Sequence, residues 1–167
     1  MVAAEDQGGS LLREMLGARL ESAARTFYEL RGCIDDRVGP LELAFAGGRT
    51  LHLTTATNGE SVWIRPGPWI DPFADRYGET DAGWSREHGR YVRVDVSEEP
   101  GYAEAVGARL DALRWLANAH GSIAGVEMRF GAAPLTFVSW GDDEYVFTGD
   151  AESVPAAWAM RIVPPNG

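Results

Sequence analysis

Hydrophobic and polar residues alternate one for one through several short stretches of this chain, which is the period of a half-buried strand. In Leu41–Phe45 the side chains of Leu41, Leu43 and Phe45 fall on one face, and Glu42 and Ala44 on the other. After the turn at Ala46–Arg49 the pattern resumes over Thr50–Thr54 through Leu51 and Leu53. Asn58-Gly59, a pair that tolerates positive φ, marks the next reversal before a third strand at Ser61–Ile64. The plan then returns. Val126, Met128 and Phe130 alternate, Gly131–Pro134 turns, Leu135–Ser139 pairs back, Gly141–Asp143 turns and Glu144–Thr148 closes. Arg90–Ser97, with Val92, Val94 and Val96 on one face, reads as a further strand. So does Ala157–Val163, with Trp158, Met160 and Ile162 on one face.

The likeness between the two sets is one of sequence as well as pattern. Leu41–Phe45 matches Val126–Phe130 at a distance of 85 residues; Leu51–Leu53 matches Leu135–Phe137, and Asn58–Trp63 matches Asp142–Phe147, both at 84. Upstream, Gly-Ala-Arg-Leu stands at 17–20 and again at 107–110. Four blocks in one order predict an internal duplication, 17–64 copied as 107–148. The expected fold is therefore mainly β (α+β), a single domain over 1–167. It consists of two related antiparallel β-meander halves with pseudo-twofold symmetry and one short N-terminal helix near 10–17, with Ser10 as its N-cap. Two segments stay open between helix and strand. Leu12, Leu16, Leu20, Ala23, Phe27 and Leu30 fit a helical stripe, as do Val106, Leu110, Leu113 and Leu116, which would place a second helix near 98–117. Yet 18–31 and 108–117 also read as strands, the latter meeting Ile123–Phe130 through a turn at Asn118–Gly121.

Residues 65–90 belong to neither copy. The density of Pro and Gly, as in Pro66-Gly67-Pro68, argues against regular structure, and a loop this long in a compact domain is usually functional. Its side chains are those of a binding surface: Trp69, Asp71, Phe73, Asp75, Tyr77, Trp84 and His88 form the candidate site. The competing reading is that these rings only cover a sheet edge.

Composition narrows the chemistry. In 167 residues there are 25 Asp and Glu against 15 basic side chains, all of them Arg, for a net charge of -10. Without Lys there is no Schiff base, no pyridoxal-phosphate anchor and no Walker lysine, and no cofactor is expected. Each half carries -5, so no basic stripe is left for nucleic acid; a basic protein partner suits this field better. Cys33, the single cysteine, makes no internal disulfide and no cysteine-based zinc site, and is expected as a buried small hydrophobe. The acidic start, Met1–Gly9, lacks the basic and apolar regions of a secretory signal, and no stretch of 18 apolar residues occurs, so a cytoplasmic, membrane-free protein is expected.

Catalytic patterns are thin. No Ser stands in a Gly-x-Ser-x-Gly elbow, and the paired carboxylates Asp35-Asp36, Glu98-Glu99 and Asp142–Glu144 fall at turns. Asp71, Asp75, Glu87 and His88 carry metal-donor atoms, but at no recognised ligand spacing, and no metal is expected. His52 faces away from Leu51 and Leu53 and is expected in solvent, and His120 at a turn. The leading expectation is a non-catalytic acidic binding module, an inhibitor or immunity-type protein for a basic partner. The alternative is a small-molecule binder or enzyme with a pocket between the halves, lined by Trp63, Trp69, Trp84 and Trp140 together with His and Asp.

Overall fold

Eleven strands and one short helix make up the regular structure of residues 8–74 and 87–164, which the computed structural model describes. Helix α1 spans Gly9–Arg13. The strands are β1 Leu20–Leu30, β2 Cys33–Asp35, β3 Leu41–Phe45, β4 Arg49–Thr55, β5 Val62–Pro66, β6 Arg90–Asp95, β7 Leu110–Ala117, β8 Ile123–Phe130, β9 Ala133–Trp140, β10 Asp143–Phe147 and β11 Arg161–Ile162. They form two antiparallel sheets, so the fold is mainly β as the alternation predicts.

In the first sheet β1, β3, β4 and β5 run as a meander, and β2 folds back beside the end of β1. Ala24 is in register with Glu42 on one side and with Asp95 on the other, so β6 returns to the free edge of β1. The second sheet has the order β10-β9-β8-β7-β11, with β11 at the free edge of β7. Each sheet is thus a four-strand meander whose following strand crosses back beside its first, a Greek-key return. Pro66 is tolerated in β5 because this strand is an edge, with β4 alone beside it.

The segments left open by periodicity are strands. Ala23–Phe27 is buried residue after residue, since β1 has neighbours on both edges and cover on both faces. A central strand of this kind loses the period of two and can imitate a helix. Residues 98–107 form successive turns rather than a regular second helix, with Ala103 N–H donating to the Glu99 carbonyl and Val106 N–H to that of Tyr102. Helix α1 is shorter than expected, and Gly8, not Ser10, precedes it as N-cap. The last expected strand also shrinks: Ala156–Trp158 is a 3₁₀ turn, and only Arg161–Ile162 pairs.

The repeated tetrapeptides meet each other. Arg19 and Arg109 form an antiparallel bridge; Leu20 N–H donates to the Ala108 carbonyl and Leu110 N–H to that of Ala18, both at 2.9 Å. Gly17 N–H donates to the Leu110 carbonyl and Gly107 N–H to that of Leu20, both at 2.8 Å. These reciprocal bonds tie the sheets together, and the inner faces close around one core. Leu41, Leu43 and Phe45 from β3 meet Val126, Met128 and Phe130 from β8, all fully buried, with Phe45 and Phe130 stacked at 6.3 Å. Thr55 and Ser139 share a hydroxyl hydrogen bond of 2.9 Å across the same junction. Gly8 and Gly101 open the two turns that lead into the tetrapeptides, both at positive φ. A Cβ on Gly8 would strike the Ile64 carbonyl within β5, and one on Gly101 would strike Thr148 just past β10. Cys33 is a correction to the sequence reading: β2 is a short strand at a hairpin tip, and its thiol is exposed.

Candidate functional site

A shallow, solvent-open groove of about 530 Å³ lies on the outer face of β4 and β5, under the start of the segment that returns to β6. The pleat dictates its lining. Leu51, Leu53, Val62 and Ile64 point into the core, so His52, Thr54, Trp63 and Arg65 must point outward. Pro66, Pro68, Trp69 and Ile70 supply the rim.

The return segment is pinned before it leaves the sheet. Gly67 N–H donates to the Thr50 carbonyl at 2.7 Å, and the Gly67 carbonyl accepts from His52 Nδ1 at 2.9 Å. His52 is therefore covered rather than solvated, which corrects the expectation; because a carbonyl only accepts, Nδ1 carries the proton. Trp69 N–H donates to Glu42 Oε2 at 3.3 Å, while Arg93 Nη2 binds Glu42 Oε1 at 2.7 Å. The Trp69 ring then meets Tyr91 edge-on at 5.1 Å, and Tyr91 meets Tyr28 at 5.6 Å. Burial pushes the Tyr91 hydroxyl pKa up, helped by the Glu144, Asp71 and Tyr28 charges nearby. Tyr91 stays neutral at physiological pH and acts as a wall, not as a base.

The second sheet treats its corresponding face differently. Glu127 on β8 accepts Ala151 N–H at 2.9 Å, as Glu42 on β3 accepts Trp69 N–H. Thr136 Oγ1 on β9 donates to the Gly149 carbonyl at 2.8 Å, where His52 on β4 serves Gly67. Here, however, the returning segment covers the sheet itself. Trp158 stacks on Trp140 at 5.2 Å and 5°, with Tyr145 and Phe147 at its edges and Leu116, Val138 and Val154 beneath. The residues 84 positions before Trp140 and Tyr145 are Ala56 and Ser61, neither of which carries a ring.

Of the candidate residues, Trp69 forms the groove wall. Ile70, which the sequence reading passed over, stands 78% exposed beside it, and Phe73 is 40% exposed. Asp71 Oδ1 accepts Phe73 N–H at 2.8 Å, closing a tight turn between them. His88 sits at the far end of the insertion, where its carbonyl accepts the Tyr28 hydroxyl and its ring lies 3.8 Å from Glu87. The contacts Trp69–Tyr91–Tyr28 thus link it to the groove. Asp75, Tyr77 and Trp84 lie outside the described residues. Of the tryptophans expected around one pocket, Trp63 and Trp69 share the groove and Trp140 belongs to the cluster on the other sheet. His52 and Thr54 were legible as outward-facing strand positions, whereas Arg65 was assigned to the insertion and belongs to β5; nothing local announced that Gly67 would fold over His52.

Among the described residues no group of three or more His, Cys, Asp and Glu is placed to hold a metal ion, and no helix is long and apolar enough to cross a membrane. No family model matches the chain, and no curated protein or solved structure does either.

Proposed function

We propose that the chain is a non-catalytic acidic binding module of the inhibitor or immunity type, which holds a basic protein partner on the return segment of its first sheet. The observation that carries this reading is the pair Ile70 and Phe73, apolar and outward on either side of Asp71, on a segment anchored by Gly67 and Trp69. An anchored apolar knob with a carboxylate beside it suits a partner that presents an apolar patch among basic residues. The net charge of -10 would speed the encounter without setting the fit. Location in the reducing cytoplasm agrees with the exposed thiol of Cys33.

Duplication is part of the same reading. Three contacts join residues at matching places in the two repeats: Arg19 with Arg109, Phe45 with Phe130, and Thr55 with Ser139. Such self-pairings are what an internal twofold would produce. One unit covers its outer face with Trp158, while among the described residues the other leaves a groove over β4 and β5, a division expected once one unit of a pair is released for binding. The alternative, a pocket between the halves, has less behind it, because Phe45, Phe130 and their neighbours fill that space.

The test is retention of partners from the native cell extract on immobilised protein at about 50 mM and about 500 mM salt. A basic protein held at low salt, released at high salt and lost with Ile70→Asp is the expected result. Recovery of no basic partner at low salt, or equal recovery by Ile70→Asp, overturns the reading.

A further inference from the structure

We propose that the groove over β4 and β5 is a binding site for a small aromatic carboxylate, with Arg65 receiving the anion and Trp63 and Trp69 enclosing the ring. This goes beyond the protein partner proposed above, and either can fail alone.

The anion half of the argument is an accounting of charges. Among the described residues, three carboxylates beside the groove are engaged. Glu42 holds Arg93 and Trp69 N–H; Glu144 Oε1 accepts Thr54 Oγ1 at 2.7 Å and Thr55 N–H at 3.1 Å; Asp71 closes its own turn. Arg65 is engaged differently. Its guanidinium lies 3.5 Å over the Trp63 ring, and it has no carboxylate partner among the described residues. Stacking holds the plane of the fork and leaves its N–H groups in the groove mouth, the arrangement that receives a carboxylate in bidentate fashion. Among the described residues Arg65 is also the only Arg, Asp or Glu of the lining, in a protein whose net charge is -10. Screening within about 8 Å at physiological ionic strength keeps the distant acids from cancelling it.

The aromatic half comes from the second sheet. There the corresponding face is filled by a flat ring, Trp158, lying against Trp140, Tyr145 and Phe147. Over β4 and β5 the wall retains an indole, Trp63, while Ala56 and Ser61 stand where the second half has Trp140 and Tyr145. The missing volume is that of planar rings, and a groove of about 530 Å³ lies within the range that takes small ligands. His52, with Nδ1 committed to Gly67, has its second ring nitrogen left to offer.

Isothermal titration of the full chain with indole-3-acetate and with its uncharged amide tests the site. The carboxylate is expected to bind about tenfold more tightly than the amide, the difference between a charge-assisted and a neutral hydrogen-bonded pair. Arg65→Met should abolish that preference and leave the amide affinity unchanged; Arg65→Lys should restore part of it. Arg65 is exposed, so both variants are expected to fold, and unchanged thermal midpoints would establish this. No saturable binding up to about 10 mM, equal affinity for acid and amide, or a preference that survives Arg65→Met overturns the proposal. Binding that emerges only in Trp84→Ala also overturns it, since the chain's own indole would then be the occupant.

Discussion

Glu127 is the side chain whose loss should hurt most for its size. It is 2% exposed in the second strand of the second sheet, and three cationic or N–H partners surround it. Arg114 binds it through Nε at 3.0 Å and also through Nη2, Arg129 Nη2 approaches at 3.3 Å, and Ala151 N–H donates at 2.9 Å. Its charge also raises the Arg114 pKa, through the hydrogen bond first. Removing one partner of a buried ion pair costs about 3–5 kcal/mol when the other is left buried. Here both arginines keep a third or more of their side-chain surface in water and can rehydrate, so Glu127→Ala should cost about 2–3 kcal/mol. Glu127→Gln keeps an acceptor for Ala151 but exchanges charge-assisted bonds for neutral ones, for a loss of about 1–2 kcal/mol. Urea denaturation followed by circular dichroism reads both, with an unchanged m-value showing that stability alone has moved. Glu98, exposed in a turn, is the control, and its Ala variant should fall within about 0.5 kcal/mol of the parent. If Glu127→Ala cost no more than Glu98→Ala, the pairing would be ornamental and the account of the outer-face carboxylates wrong.

Two other outcomes follow from the core. Burial pushes the Tyr102 pKa up, against the pull of Arg25, whose Nη1 lies 3.2 Å from the hydroxyl. Above the ordinary tyrosine value near 10 the unfolded chain therefore loses this proton while the folded one keeps it. Stability should be full below that pH and fall above it, and Tyr102→Phe should flatten the decline in thermal midpoints measured between about pH 9 and 11. Phe45→Ala and Phe130→Ala should each cost about 3–5 kcal/mol in denaturant titrations. Because the rings stack on each other, the double variant should cost about 0.5–1.5 kcal/mol less than the two singles added together; strict additivity would mean that they do not touch.

Alternation of residue type alone located β3, β4, β8, β9 and β10 and the reversals between them, because apolar core-facing side chains alternate with outer ones such as Glu42, His52, Glu127 and Thr136, which stay polar although returning segments bury them. Composition alone excluded lysine chemistry, and repetition pointed to two similar meanders. What only the tertiary structure decided depends on contacts far apart in the chain. β1 became a strand because β3 and β6 flank it, and its buried run carries no period that a local reading could use. The partnership of the two Gly-Ala-Arg-Leu copies joins residues 90 apart. His52 was legible as an outward position, but its burial required Gly67 to fold back over it, just as the cover on Trp140 required Trp158 to return from beyond β10. Periodicity reports which way a side chain points, and what lies over it is fixed by the path of another segment.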